Sequence, residues 1–317
     1  MSALTTDAPV TRTRLPGPVR AVLRLQRGVL IAWAVIFTVT AGILLWAYGP
    51  GGNGAAADWQ RKCTVHGCDW SAAISAYHLA YAVAEFLIGV IPYFAAALAG
   101  AVVGRELENG TARLAWTQSL SPTRWLATTL AVPAALITAG STVLVLLHRL
   151  LYDAHKVPVT WNWWNEETFI PNGTIAIVQP LLGLAVGALA GLLQRRLLSS
   201  IGLAIAATGL VHTVLNFTRP SLWPWVTRVS PRNTGYDAPL NVLVGDQGAV
   251  TSSGGHVPDT CFEQAKCLKS VDVTGYYVQY HPASHFWPLQ LVETGIVLAV
   301  TALVLAAAFT LLRRRTA

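Results

Sequence analysis

The sequence predicts an all-α polytopic membrane protein with six transmembrane helices, both termini cytoplasmic, and a small, partly β extracytoplasmic cap between the fifth and sixth spans. Three observations predict it. Hydrophobic residues make up 53% of the chain and charged residues only 12%, about half the charge of a soluble domain. The apolar residues gather in six long runs. Arginine and lysine favour the short segments on one side of those runs.

The runs are Gly28–Tyr48, Leu79–Val103, Trp125–Leu147, Ile175–Leu193, Leu198–Phe217 and Leu289–Leu312. About 20 apolar residues at a rise of ~1.5 Å each cross the hydrocarbon layer. Helix is the only open-ended choice there, because hydrocarbon gives backbone amides no other partner. The alternating ~10-residue segments of a membrane barrel are missing. The first run is longer than the apolar core of a signal peptide, so Ala55–Ala57 is not expected to be a cleavage site.

Placing the N-terminus inside puts 13 of the 22 basic residues on the shorter, inner segments, as the positive-inside rule requires. The net charge of +7 then reports topology and anionic headgroups; no nucleic-acid motif accompanies it, and no nucleic acid partner is expected. The location implied is the plasma membrane. The division read from the chain is 1–27, a tail and interface helix; 28–218, spans one to five; 219–284, the outer cap; and 285–317, the sixth span and a basic tail.

Within 1–27, Arg20, Arg24 and Arg27 recur at helical spacing opposite Val19, Val22 and Leu23. Either a separate amphipathic helix on the membrane surface or an extension of the first span fits. Cys63 and Cys68 fall in the first outer loop, Cys261 and Cys267 in the third. That suits disulfides in an oxidising compartment, with local and cross-loop pairings both open. Cys63, His66 and Cys68 match no zinc spacing, so no metal is expected. Trp161, Trp163, Trp164, Trp223 and Trp225 read first as interface-belt residues. Val271–Tyr280 reads as strand, and Asn233–Gly235 and Gly254–Gly255 as turns.

Four features bear on function. No phosphate loop, metalloprotease pair or nucleophile turn is present, so no catalytic residue is assigned. Gly183, Gly187 and Gly191 share a face of the fourth span, and Gly100 and Gly104 repeat the spacing; such stripes let helices approach closely, here within one chain. Glu85, His212 and Glu293 lie at similar depth in the outer half of three spans. Intramembrane charge asks for a reason: a shared cluster lining or gating a transport path, or three residues satisfied separately. Last, GRELENGTARLAWTQSLSPTRW joins the second and third spans. Asn109–Gly110 stops a helix, Thr111 can cap a short one carrying Arg113, Leu114 and Trp116, and Ser121–Pro122 starts the third span. An exposed Leu/Trp face there invites a protein partner.

This segment resembles the loop after the second span in type-2 permeases of ATP-binding-cassette transporters, with Glu106, Glu108, Gly110, Thr111, Leu114, Ser121 and Arg124 standing in the family pattern. RLAWTQS, TRWLA and YHPASHFWPLQLVETG are similar to actinobacterial permeases. The resemblance implies a transport subunit without enzyme activity or cofactor of its own. ATP and Mg²⁺ would be used by a separate cytoplasmic ATPase docked on Thr111–Gln118. Two six-helix bundles, as a homodimer or a permease heterodimer, would rock about a central path, for export. An ion-coupled secondary transporter and a membrane sensor or immunity protein are the competing readings.

Overall fold

The computed structural model describes residues 17–64, 67–117, 120–154, 157, 162–258 and 272–316. Among these, six helical segments are long and apolar enough to cross a membrane. They outrun the apolar runs that predict them. The first is two helices, α2 (Arg27–Tyr48) and α3 (Pro50–Lys62), broken at Gly49, whose backbone leaves the helical region just before a proline. The expected loop after Tyr48 is therefore helix again for the 13 residues of α3. Two short strands, β1 (Cys63–Thr64) and β2 (Gly67–Cys68), follow with Cys63 and Cys68 in register.

The second segment is also two helices: α4 (Ala72–Gly89), opened by Ser71, whose Oγ accepts from Ile74 N at 3.2 Å, and α5 (Ile91–Glu108). They meet at Val90, ahead of Pro92. α6 (Thr111–Thr117) leads to α7 (Pro122–Ala154), then a short α8 (Glu166–Phe169). α9 (Ile175–Gln194) and α10 (Leu197–Thr218) form a tight hairpin. α11 (Phe286–Thr316) closes the chain. Ahead of all these, α1 (Gly17–Leu25) is a helix separate from α2, with Gln26 as the joint. Gln26 is buried and donates Nε2–H to the Thr129 carbonyl at 3.2 Å. α1 and α2 are thus two helices joined at the single residue Gln26, whose N–H bonds back to Val22 and whose carbonyl accepts from Leu30 N.

α9 is the most enclosed span and α5 its main neighbour. The glycine stripe explains why. A Cβ on Gly183 would strike the Tyr93 carbonyl, on Gly187 the Ala97 carbonyl and on Gly191 the Gly104 amide. From the other side, a Cβ on Gly100 would strike the Leu184 carbonyl. The two backbones touch, which only small residues permit.

Between α10 and α11 the chain forms a four-stranded antiparallel sheet in the order β3–β6–β4–β5, from β3 (Val226–Pro231), β4 (Leu243–Thr251), β5 (His256–Pro258) and β6 (Val273–His281). β6 closely matches the strand expected at 271–280. Cys261 and Cys267 lie outside the described residues, as do Trp161, His66 and Gln118.

Candidate functional site

Two clusters sit at opposite ends of the bundle. At the arginine-rich end, α5 stops where Gly110 takes φ +72°, the left-handed cap that glycine adopts at no steric cost. Glu106 is buried. The Thr111 hydroxyl reaches back to it, 2.5 Å from Oε2 and 3.1 Å from the Glu106 carbonyl. Thr111 thus ties α6 to α5 rather than capping α6, as its sequence position suggested. Glu108 Oε2 accepts from Leu197 N at 2.9 Å and joins this corner to the α9–α10 turn.

α6 has two faces. Ala112 is buried, and Trp116 packs edge-on against Trp125 with ring centroids 5.7 Å apart. Leu114 is 59% exposed, and Arg113 is exposed beside it. The expected Leu/Trp face is therefore a leucine–arginine face, because the indole has a better partner in the start of α7. Ser121 Oγ accepts from Arg124 N at 3.4 Å at that start.

At the sheet end, the segment 162–174 folds into the bundle. Glu166 on α8 lies 2.6 Å from His212 Nε2 and accepts from Asn216 Nδ2 at 2.5 Å. Asn216 Oδ1 accepts from Arg219 at 3.0 Å. Arg219 then grips Glu293 with two bonds, 2.7 and 3.2 Å, while its guanidinium lies 4.6 Å over the Phe169 ring. Glu293 is fully buried and Arg219 nearly so. A second chain runs beside the first. Thr168 donates to Glu85 at 2.8 Å, Asn172 Nδ2 donates to the Thr168 carbonyl at 3.0 Å, and His148 Nδ1 lies 3.0 Å from Asn172 Oδ1. His148 Nε2 is buried 4.0 Å from Glu85. Gln290 completes the lock, donating to the Phe169 carbonyl and accepting from Ile175 N.

Glu85, His212 and Glu293 do not touch one another. The structure joins His212 to Glu293 through Glu166, Asn216 and Arg219, and ties Glu85, on α4, into the neighbouring network through Thr168, two residues along α8 from Glu166. Sequence reasoning missed every one of these linking residues. Arg219, directly after the fifth span, and the Glu166–Glu167 pair after a tryptophan run were the available signals. Trp163 is likewise no belt residue: it is buried, and its indole donates to the Asn241 carbonyl at 3.1 Å.

The hydrogen bond from His212 holds the Glu166 carboxyl below its usual range, aided by the charges of His212 and Arg219 against the effect of burial. Burial pushes His281 down from the ordinary imidazole range. Its Nε2–H donates to the Pro220 carbonyl at 2.9 Å, so the neutral ring accepts at Nδ1 from His285, 2.8 Å away. Among the described residues no cluster of His, Cys, Asp and Glu could hold a metal ion.

The family model described as "ABC-2 membrane transporter related" matches residues 27–219, well over half of the chain. The chain belongs to this ABC-2 transporter-related family. The match runs from the start of α2 to the arginine that grips Glu293, so it takes in α6 and all of the α8 chain except Gln290 and Glu293. No curated protein and no solved structure matches the chain. An ABC-2 permease is the membrane-spanning part of a transporter and not its catalytic part, and the six apolar helices fit a multi-pass membrane protein.

Proposed function

We propose that the chain is the permease subunit of an exporter driven by a separate cytoplasmic ATP-binding-cassette ATPase, which docks on α6. The placement of α6 carries this reading. It hangs between the second and third spans at the arginine-rich end, fixed by Glu106–Thr111 and Trp116–Trp125, with Leu114 and Arg113 facing outward. A short helix rigidly tied to two spans transmits a push to both. Glu106, Glu108, Gly110 and Thr111 set its angle; Arg113, Leu114 and Trp116 form its two faces. ATP and Mg²⁺ bind the ATPase, and this chain supplies no cofactor site.

In this reading the arginine-rich end with both termini is cytoplasmic and the β3–β6 sheet is extracytoplasmic, in the plasma membrane. Two permeases form the working unit. α2 and α10 are sparsely covered, with Leu45, Leu198 and Phe217 exposed, and either lipid or a second bundle covers them. Backbone register sets Cys63 opposite Cys68, a separation that a local disulfide bridges; Cys261 and Cys267 would form the second bridge. The α8 chains serve as an outer gate. Glu85, His212 and Glu293 hold 162–174 across the bundle mouth, and transport requires their release.

The test is ATPase stimulation in liposomes with the cognate ATPase. Wild-type protein is expected to co-purify with it and raise its turnover, and Leu114→Asp to lose both while keeping the wild-type melting temperature. Trp116→Asp is the poorer probe because it breaks packing onto Trp125. A Leu114→Asp protein that still binds and stimulates the ATPase would remove the basis for this assignment.

A further inference from the structure

The arginine-rich end carries charge that the chain itself does not neutralise. Arg20, Arg24, Arg27, Arg105, Arg113, Arg124, Arg195, Arg196 and Arg313–Arg315 gather there against only Glu106 and Glu108 among the described residues. Both carboxylates are committed: Glu106 to Thr111 and, at 3.9 Å, to Arg105, and Glu108 to Leu197 N.

Three of these arginines come from three elements to line one cavity of about 80 Å³: Arg113 on α6, Arg195 after α9 and Arg315 near the end of α11. Among the described residues none of the three is in an ion pair. Arg315 is held in place by donating to the Leu192 carbonyl. Trp116 also lines the cavity, and its indole Nε1 is buried without a hydrogen-bond partner. Arg195 adopts the left-handed conformation, φ 53° and ψ 22°, at a helix end where glycine is the usual occupant. An arginine there bears backbone strain, and its side chain is what glycine would not supply.

We propose that this cavity binds a phosphate group, and that its ligand in the membrane is the headgroup of an anionic phospholipid. The polar lining is three guanidinium groups, which are donors only, with the Trp116 indole and the Thr316 hydroxyl, whose proton goes to the Leu312 carbonyl; no acidic side chain is among the lining residues. Guanidinium recognises phosphate through paired, charge-assisted bonds. By the allowance of roughly 10–15 Å³ for each water, the space holds about five to eight water-sized atoms, room for one phosphate. Leu107, Leu192 and Leu312 complete the wall, so apolar side chains adjoin the charged ones, and a phosphate tethered to an apolar chain fits better than a free ion. The site shares Arg113 with the outward face of α6 but not Leu114, and it needs no ATPase.

Native mass spectrometry on the purified full chain, without ATPase, tests this. Phosphatidylglycerol is expected to be retained over phosphatidylcholine. Arg195→Gly combined with Arg315→Gln is expected to weaken that retention about tenfold or more, as loss of charge-assisted bonds implies. Trp116→Phe, which removes only the N–H, gives a smaller loss in the same direction. Arg20→Gln with Arg24→Gln, at the same end but off the cavity, is expected to leave retention unchanged. Arg195→Gly suits the backbone there, so a wild-type melting temperature accompanies its loss of lipid. Equal retention by wild type and the cavity variants overturns the proposal. So does a fatty acid retained as well as phosphatidylglycerol, since it carries charge without phosphate. Saturable binding of inorganic phosphate with no preference for phosphatidylglycerol assigns the cavity to the free ion and overturns the lipid assignment.

Discussion

Arg219 and Glu293 stand 74 residues apart in sequence and meet through two hydrogen bonds inside the bundle. Glu293→Leu removes one partner and leaves the guanidinium, only 7% exposed, facing an apolar wall. Breaking a buried pair from one side costs about 3–5 kcal/mol. Asn216 and the Phe169 ring still hold the guanidinium, which sets the expectation near the lower figure. For a chain of this size each kcal/mol moves the melting temperature by about 2 °C, so Glu293→Leu should melt about 6 °C lower. Arg219→Met alone strands the carboxylate and should cost at least as much. Replacing both together gives an apolar contact of similar volume, which is close to neutral at buried pairs. The double variant should therefore melt above either single one, with a coupling energy of about 2 kcal/mol or more in the cycle. Tryptophan fluorescence during heating in detergent measures all four proteins. Singles that melt with the wild type, or a double variant whose loss is the sum of the two, would refute the view of Arg219–Glu293 as a buried, mutually dependent pair.

Three other expectations follow from particular contacts. Gly187→Ala pushes a methyl into the Ala97 carbonyl and should cost about 1–3 kcal/mol as overpacking does, whereas Gly202→Ala, with nothing within 4 Å, should be neutral or gain up to about 1 kcal/mol of helix propensity; thermal melts separate them. Thr111→Val removes the bond to buried Glu106 Oε2 and should cost about 1–3 kcal/mol, with hydrogen exchange rising in α6 before it rises in α5. His281 has its folded value below the ordinary 6.5, so the unfolded chain binds the extra proton first: its contribution is complete above pH 6.5 and is lost as pH falls through the lowered value. Exchange at the ends of β3 and β6 should rise in that window and not in His281→Gln. Glu166, also lowered, loses its contribution only below its ordinary 4.5, so the two steps are distinguishable.

Apolar run length made the six spans legible, and glycine spacing made the α5–α9 contact legible, because both properties are local in sequence. The same reasoning ended the first span at Tyr48 and began the second at Leu79, where the structure continues helix to Lys62 and resumes it at Ala72. Hydropathy marks where a helix can lie in lipid, not where its hydrogen bonds stop. At the sheet end, the sequence marked Glu85, His212 and Glu293 as in need of partners. It could not supply them, since Thr168, Glu166 and Arg219 come from a segment that reads as an outer loop and from the first residue after a span. Trp163 reads as a belt residue for the same reason: composition does not reveal that 162–174 folds inward. Leu114 and Trp116 stand two residues apart and so point to nearly opposite sides of α6, which argues against a shared Leu/Trp face, but only the fold reveals that Trp125 is the partner on the Trp116 side.

In the proposed reading, α6 is where an ATPase meets this permease. A photoreactive amino acid at position 114, in the full chain expressed with its cognate ATPase, tests it most directly. The expected result is an ATP-dependent cross-link from position 114 to the ATPase, identified by its phosphate-loop peptide, with none from position 229 on the exposed face of β3. A folded, membrane-inserted protein that cross-links to the ATPase from position 229 and not from 114 would contradict the account.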